Sequence, residues 1–229
     1  MINEKFLLED KQCVIHGSLD AEYILIQPVN EHEMAQLEKE ASLIGDKVTE
    51  PFVLAAFLVR DWNRELSPWE APPVFGTEGF GTGAAGTLRF VQESFVPFVV
   101  KHYAAASDMP VVLGGYSLAG LFSLWSAYQT DLFAAVAAVS PSVWFPKWDE
   151  YAGKHAVQTE RIYLSLGKRE EKTRWETAFV NNINTCRSRG SRQRWNGTKE
   201  IIFRSRMSDV RKRLYGVFVI WEVRDLVCP

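Results

Sequence analysis

The sequence predicts an α/β protein with a mainly parallel central sheet flanked by helices. Short runs of aliphatic and β-branched residues alternate with longer segments of helical spacing, which is the pattern of repeated β-α-β units. Residues 52–59 (FVLAAFLV) are apolar on both faces, as expected for a strand covered by helices on its two sides. A chain of 229 residues, 47% of them hydrophobic, is long enough for one sizeable core.

The expected strands are short apolar runs bounded by turn residues. In chain order they are residues 13–17, 23–28, 52–59, 110–114, 133–139 and 162–166. Because helical segments separate most of them, the connections are crossovers and the strands should be parallel. The predicted core therefore covers residues 1–174, and residues 175–229 form an atypical basic segment to which we assign no separate domain.

Three segments have helical spacing or composition, namely residues 31–44, 87–104 and 117–128. Pro97 should kink or divide the second of them. Residues 60–86 lie between two predicted elements and are rich in Pro, Gly and Trp. Long ordered loops of this kind are usually functional, so we expect this loop beside the active site.

Composition argues against several classes of partner. A net charge of −2 gives no general attraction to nucleic acid or to an anionic membrane. The cysteines Cys13, Cys186 and Cys228 are far apart and have no CxxC or histidine pairing, so neither a disulfide framework nor a metal site is expected. No cofactor is implied.

The acidic first residues do not resemble a secretory signal, and no apolar run reaches membrane-spanning length, so we expect a soluble cytoplasmic protein.

Ser117 lies in the segment GGYSLAG, residues 114–120, between a predicted strand and a predicted helix. This context distinguishes a nucleophile elbow from an isolated G-x-S-x-[GA] match. A serine on so sharp a turn has strained backbone geometry, and side chains larger than those of Gly115 and Ala119 would collide across the turn. The alternative is a turn in which Ser117 only caps a helix.

Two backbone amides are expected to form an oxyanion hole. The first is that of Leu118, at the N-terminus of the helix that follows the serine. The second is expected in the loop after residues 52–59, around Asp61 or Trp62.

A triad acid is expected after a later strand, and residues 162–166 lead directly into Glu170 and Glu171. Glu170 is the first candidate and Glu171 the second; either would orient a histidine and stabilise its imidazolium form. The alternative is a solvated charged turn at the start of a helix.

Four segments of the chain share a family pattern: DWNRELSPWEAPPVFGTEGFGTGAAGTL, GGYSLAGLFSLW, AAVSPSVWFP and YLSLGKREEKTR. They resemble the esterase family of α/β-hydrolases that is related to siderophore esterases and esterase D, and the resemblance covers roughly residues 10–174. It implies an α/β-hydrolase-like three-layer sandwich, hydrolysis of a small-molecule ester with Ser117 as nucleophile, and Trp144 as a wall of the substrate site. Tyr116, next to the nucleophile, is the other expected substrate-binding residue. Trp144 as an ordinary core aromatic is the alternative.

The family pattern requires a histidine after the acid, and this sequence has none there. Only His155 follows Ser117, and it precedes the acid strand in a polar stretch, so we expect it at the surface. Nine of the fifteen arginines follow Cys186, and periodicity fades in the same region. One interpretation is a basic nucleic-acid-binding arm, and the other is a shifted reading frame.

The genetic code favours the shifted frame. Residues 195–203, WNGTKEIIF, are encoded as TGG AAY GGN ACN AAR GAR ATH ATH TTY. The same bases grouped in another frame permit GAA TGG AAC GAA GGA AAT CAT TTT, which reads EWNEGNHF and resembles the histidine-bearing segment of the family. The histidine would then be encoded out of frame under Ile201 and Ile202. We therefore expect an impaired esterase without a nucleic-acid partner, with a disrupted C-terminal part.

Two other functions are compatible with parts of the sequence. Residues 81–86 fit G-x-G-x-x-G, but no strand is predicted before them and no acid is suitably placed about 20 residues further on, which argues against a dinucleotide site. We expect these glycines to let the loop pass close to the substrate or the elbow. The other alternative is a non-catalytic binding protein on the same scaffold, with an aromatic loop that includes Trp62 and Trp69 as its recognition surface.

Overall fold

A computed structural model describes residues 2–48, 50–74, 76–104, 106–159, 161–165, 192–195 and 201–204. Glu170 and Glu171, and most of the basic segment, lie outside the described residues. The described strands are β1 (Ile2–Leu8), β2 (Lys11–Gly17), β3 (Tyr23–Val29), β4 (Phe52–Leu58), β5 (Val111–Tyr116), β6 (Ala135–Val139), β7 (Arg161–Ser165), β8 (Arg192–Trp195) and β9 (Ile201–Arg204).

These strands form one mixed sheet in the order β1-β2-β4-β3-β5-β6-β7-β9-β8. The five strands from β4 to β7 in that order are parallel, and the pairs at the two ends are antiparallel. The parallel centre confirms the predicted mainly parallel sheet. Because parallel strands end at the same edge, the segments that follow β3, β4, β5 and β6 all begin at one edge of the sheet.

Helices cover both faces of this sheet. They are α1 (Glu31–Met34), α2 (Leu37–Gly45), α3 (Trp62–Glu65), α4 (Ala84–Phe90), α5 (Val96–Tyr103), α6 (Leu118–Ser126) and α7 (Trp148–Lys154). Alternate strand residues contribute to two separate buried clusters: Leu25 packs with α2 on one face, and Ile24 packs with α4 to α7 on the other. The result is the three-layer arrangement expected of an α/β-hydrolase-like fold.

The structure differs from the predicted elements in its edge strands and in its short helices. β1 was not predicted, because its polar residues face outward at the sheet edge and only Ile2, Phe6 and Leu8 contact the core. The predicted helix 31–44 is divided between α1 and α2, where the amide of Gln36 donates to Glu33 O, three residues back, at 2.9 Å. α7 was also missed.

Pro97 divides the predicted helix 87–104, as expected, but the division takes the form of a π-helical turn. This turn, Val91–Phe95, connects α4 to α5 and ends two residues before the proline. A proline has no amide hydrogen, and its ring would crowd the carbonyl four residues back. A wider turn removes that conflict without ending the helix.

No helix in the described part of the chain combines the length and the apolar character needed to cross a membrane.

Glu65 connects the start of the loop after β4 to the antiparallel edge of the sheet. Its carboxylate accepts the amides of Arg60 at 3.0 Å and Asp61 at 2.9 Å, and it pairs with the Lys11 ammonium of β2. Burial raises the pKa of Glu65, but the bonds from Lys11, Asp61 and Arg60 outweigh burial and hold this pKa below its ordinary value of 4.5. The ion pair therefore fixes the backbone where the chain leaves β4.

Replacing Glu65 with Gln should lower the free energy of unfolding at neutral pH by about 2 kcal/mol, because Lys11 loses its partner in a mostly buried position. Since the folded-state pKa of Glu65 is lowered, its contribution is complete above the unfolded-state pKa and is lost as pH falls through the folded-state value. Urea unfolding at several pH values should therefore show a weaker loss of stability on acidification in Glu65→Gln than in the parent.

The matched control is Glu150→Gln. Glu150 and Lys154 also form an ion pair, at 3.7 Å, but their side chains are 71% and 72% exposed. Exposed pairs contribute little, so this variant should retain the parent's stability and pH dependence. Equal effects of the two substitutions would contradict the role given to Glu65.

Candidate active site

Ser117 lies between the end of β5 and the start of α6, in a strained backbone conformation. Its φ is 56° and its ψ is −117°, a combination that costs of order 1–3 kcal/mol for a residue with a side chain. The residue is half-buried, at the carboxyl edge of a central parallel strand. The strained turn predicted for a nucleophile elbow is therefore present.

Gly115 and Ala119 meet across this turn. A Cβ atom at Gly115 would lie 2.5 Å from the carbonyl carbon and oxygen of Ala119, and 2.7 Å from its Cβ. No side chain can occupy that space unless the helix moves away from the strand. The small residues at these two positions are thus what allows α6 to begin immediately after Ser117.

The end of β6 and the turn that follows it are hydrogen-bonded to the elbow at three places. The amide of Ser117 donates to Val139 O at 3.0 Å, and the amide of Ser142 donates to Ser117 O at 3.0 Å. The side-chain oxygens of Ser117 and Ser142 are 3.3 Å apart. Ser140, within this turn, has a φ of 40°. The segment SPS is therefore a direct neighbour of the candidate nucleophile, a contact that the sequence analysis did not foresee.

The candidate oxyanion-hole residues differ in whether their backbone amides already have an acceptor. Leu118 is the first residue of α6, so its amide has no acceptor within the helix. Asp61 is the N-cap of α3, and its amide donates to the carboxylate of Glu65. Trp62 is the first residue of α3 and its amide has no acceptor within that helix. Of the two residues expected to supply the second amide, Asp61 already has an intramolecular acceptor.

The sheet order introduces another candidate for that amide. β3, and not β4, is the neighbour of β5, and their pairing ends at Ile26 opposite Leu113. Beyond it, Pro28 has no amide hydrogen to offer β5. Continuing the same register places Asn30, the N-cap of α1, level with Ser117. The amide of Asn30 already donates to the Glu33 carboxylate at 3.2 Å, whereas the amide of Glu31, the first residue of α1, has no acceptor within that helix. The sequence could have indicated this junction only if the strand order had been known.

Aromatic side chains connect the loop after β4 to the segment after β6. The indole of Trp69 donates to Pro146 O at 2.8 Å. The ring centroid of Phe80 lies 6.0 Å from that of Trp144 and 5.1 Å from that of Phe145. Trp144 is half-buried, two residues after Ser142. Tyr116, next to the nucleophile candidate, is 43% exposed. The loop therefore packs against the segment that contacts the elbow.

The glycines of the G-x-G-x-x-G segment have a packing role. A Cβ at Gly81 would lie 2.6 Å from Arg64 Cγ, and one at Gly83 would lie 2.6 Å from Arg64 O. They thus allow close approach of the loop to α3, whereas the sequence predicted close approach to the substrate or to the elbow; approach to a substrate stays a prediction. Residue Phe80 before them forms only an isolated bridge with Ala71, so the strand that a dinucleotide site requires is absent from this described loop.

His155 lies at the surface, as predicted. It follows α7, is exposed, stacks on Tyr151 at 4.1 Å between ring centroids, and bonds through Nδ1 to Tyr151 O.

Among the described residues, no group of three or more His, Cys, Asp or Glu side chains is arranged to hold a metal ion. Cys13 is buried, and burial raises the pKa of its thiol to about 12.

A parallel sheet covered by helices, with a strained serine between a central strand and a helix, defines the α/β-hydrolase class of fold. The family model described as "Putative esterase" matches residues 53–200, which is more than half of the chain. The chain therefore belongs to this esterase family. The match begins later and ends later than the resemblance seen in the sequence, which covers roughly residues 10–174.

Solved structures share this fold at low sequence identity. An IroE-like serine hydrolase from Shewanella oneidensis is 18% identical with a TM-score of 0.63, over 80% of this chain and 69% of that one. The siderophore hydrolase EstB from Aspergillus nidulans is 14% identical with a TM-score of 0.63, over 81% and 82%. Enterochelin esterase from Shigella flexneri is 20% identical with a TM-score of 0.61, over 82% and 51%. No curated protein matches the chain in sequence.

Replacing Gly115 with Ala should destabilise the protein by about 3 kcal/mol, because the new methyl group would overlap the backbone of Ala119. The matched control is Gly86→Ala in α4, where no atom lies within 4 Å of the added carbon. That variant should be unchanged or more stable by about 0.5–1 kcal/mol, since alanine favours a helix. Denaturant unfolding measures both, and similar stabilities for the two variants would contradict the close contact described at the elbow.

Proposed function

We propose that this chain is a serine esterase in which Ser117 is the nucleophile. The observation that carries the proposal is the strained serine at the carboxyl edge of the parallel sheet, at the N-terminus of α6. The Ser117 oxygen would bond to the ester carbonyl carbon while its proton passes to a general base. The alcohol then leaves with a proton, and water cleaves the acyl-enzyme to release the acid and restore the hydroxyl.

The general base is the missing part of this proposal. An esterase of this class uses serine, acid and histidine in that chain order, and we assign the acid to Glu170, with Glu171 as the second choice. No histidine follows either residue in the 229-residue sequence. Without a positioned base the Ser117 hydroxyl is a weak nucleophile. The proposal therefore includes impaired activity of the chain as written, with the histidine encoded out of frame under Ile201 and Ile202.

The oxyanion hole is proposed to combine the amide of Leu118 with that of Glu31, the first residue of α1, at the junction of β3 and α1; the amide of the preceding Asn30 is already bonded to Glu33. The sequence favoured Asp61 or Trp62 for the second amide, but the Asp61 amide is bonded to Glu65. The strand β3 is one inter-strand spacing from β5, about 4.8 Å, whereas β4 is two spacings away. An oxyanion donor must lie within hydrogen-bonding distance of the oxygen of the reacting carbonyl.

The substrate is proposed to be a small carboxylic ester that contacts Tyr116 and Trp144. Tyr116, whose ring is exposed, is the last residue of β5, and Trp144, whose ring is half-buried, lies two residues after Ser142, the neighbour of Ser117. Aromatic side chains of this kind suit aryl-bearing esters. Two structural neighbours are named siderophore hydrolases, so siderophores that contain ester bonds should be tested as substrates alongside simple aryl esters.

The proposal is tested by comparing the chain as written with a version re-read in the alternative frame from near Thr173. The restored version should hydrolyse a short-chain aryl ester, and Ser117→Ala in it should reduce turnover to the residual level expected for the chain as written. The chain as written should retain at most the contribution of the oxyanion hole and binding, roughly a thousand- to ten-thousand-fold over water. Initial rates measured with each protein at equal concentration provide the comparison.

Two outcomes would overturn parts of this proposal. Equal, Ser117-dependent turnover by both versions would show that the frame is irrelevant and would make His155 the base to test. If neither version hydrolyses any ester, the alternative of a non-catalytic binding protein is favoured. The absence of a histidine after the acid is the observation that keeps this alternative open.

Trp62→Pro tests the position of the second oxyanion amide. Proline is tolerated at the first position of a helix and removes the amide hydrogen there. Since we place the second donor at the β3 to α1 junction, Trp62→Pro should have the same kcat in the restored enzyme as its control Trp62→Ala. A further loss of about a hundredfold in the proline variant would return the second amide to the loop after β4.

A further inference from the structure

The hydroxyl of Ser142 is the buried partner of the Ser117 hydroxyl. Ser142 is only 1% exposed, whereas Ser117 is half-buried and faces the carboxyl edge of the sheet. Their oxygens are 3.3 Å apart, within hydrogen-bonding distance. Within the part of the chain that the structure describes, Ser117 is the hydrogen-bond partner of the Ser142 side chain.

Burial decides which hydroxyl donates. If Ser117 donated, the buried proton of Ser142 would have no acceptor among the described residues, which costs free energy that a water-accessible hydroxyl does not lose. If Ser142 donates, its proton is satisfied, and the proton of the half-buried Ser117 can point towards solvent or an incoming base. The second arrangement leaves no buried donor unpaired.

We propose that Ser142 is a positioning residue for the nucleophile, whose buried hydroxyl donates a hydrogen bond to the Ser117 oxygen. This inference rests on the proposed function of Ser117. The bond orients the Ser117 hydroxyl with its proton facing the cleft. It also strengthens as negative charge develops on that oxygen, because a hydrogen bond to an anion is stronger than one to a neutral group.

The backbone holds the two residues in this relation independently of their side chains. The amide of Ser142 donates to Ser117 O, and the amide of Phe145 donates to Ser142 O, each at 3.0 Å. The backbone of residue 142 is therefore fixed on both sides, by the elbow and by the following turn. Removing only the hydroxyl should leave that framework in place.

The test uses Ser117→Cys in the full chain, because a thiol at this position can be titrated without any turnover. The pH dependence of its alkylation by iodoacetamide, followed by mass spectrometry of the fragment that contains residue 117, gives the thiol pKa. Adding Ser142→Ala should raise that pKa by about one unit, since the thiolate loses a charge-assisted donor. Cys13 does not interfere, because it is buried and burial raises its pKa to about 12.

Ser126→Ala, added to Ser117→Cys, is the matched control. Ser126 is also fully buried, and its hydroxyl donates to Phe122 O at 2.8 Å within α6, away from the elbow. It should leave the pKa of the thiol unchanged. An unchanged pKa in Ser142→Ala, or equal rises in both variants, would overturn the proposal. If Ser142→Ala does not fold, as judged by thermal unfolding, Ser142→Gly removes the same hydroxyl and provides the same comparison.

This titration separates the inference from the proposed function. If the restored protein fails to hydrolyse esters, the role of Ser117 as an esterase nucleophile is lost, but the measured effect of Ser142 on the residue-117 thiol is unaffected. If hydrolysis is present and the thiol pKa does not depend on Ser142, only the positioning role is lost.

Discussion

The contact between Gly115 and Ala119 is the constraint on which the candidate site depends. Because a Cβ at Gly115 would overlap the backbone of Ala119, α6 can start directly at the end of β5 only with glycine at that position. This close approach forces Ser117 into its strained conformation and turns the helix N-terminus towards the same edge of the sheet. Strain at the serine is thus offset by the packing of a completely buried helix against the central strands.

The strands β6 and β3 flank this elbow. The end of β6 and the turn after it bond to the elbow through Val139 and Ser142, and the hydrogen-bonded pairing of β3 with β5 ends at Ile26 opposite Leu113, before the level of Ser117. Open α/β sheets bind ligands at the carboxyl ends of their strands, which is the edge where Ser117 lies. The aromatic loop after β4 closes one side, because its residues Trp69 and Phe80 pack on the segment that follows Ser142.

The components that prepare the serine and those that would activate it come from different parts of the chain. The elbow, the buried Ser142 hydroxyl and the candidate oxyanion amides all precede residue 150. The proposed acid and the missing histidine belong to the sequence after β7. A change of reading frame in that later part would leave a nucleophile site without its base, since the described contacts of the elbow come from β6, the turn after it and α6.

The sequence by itself determined the α/β class, the six strands from β2 to β7 and the position of Ser117. The spacing of apolar residues, the small residues at the turn and the strand-turn-helix context are all local properties of the chain. Only the tertiary structure decided that β3 lies between β4 and β5, that Ser142 contacts Ser117, and that Glu65 binds the Asp61 amide. These are contacts between residues distant in sequence, so no local pattern encodes them. The edge strand β1 was missed for a related reason: it is defined by its pairing with β2 and not by an apolar run.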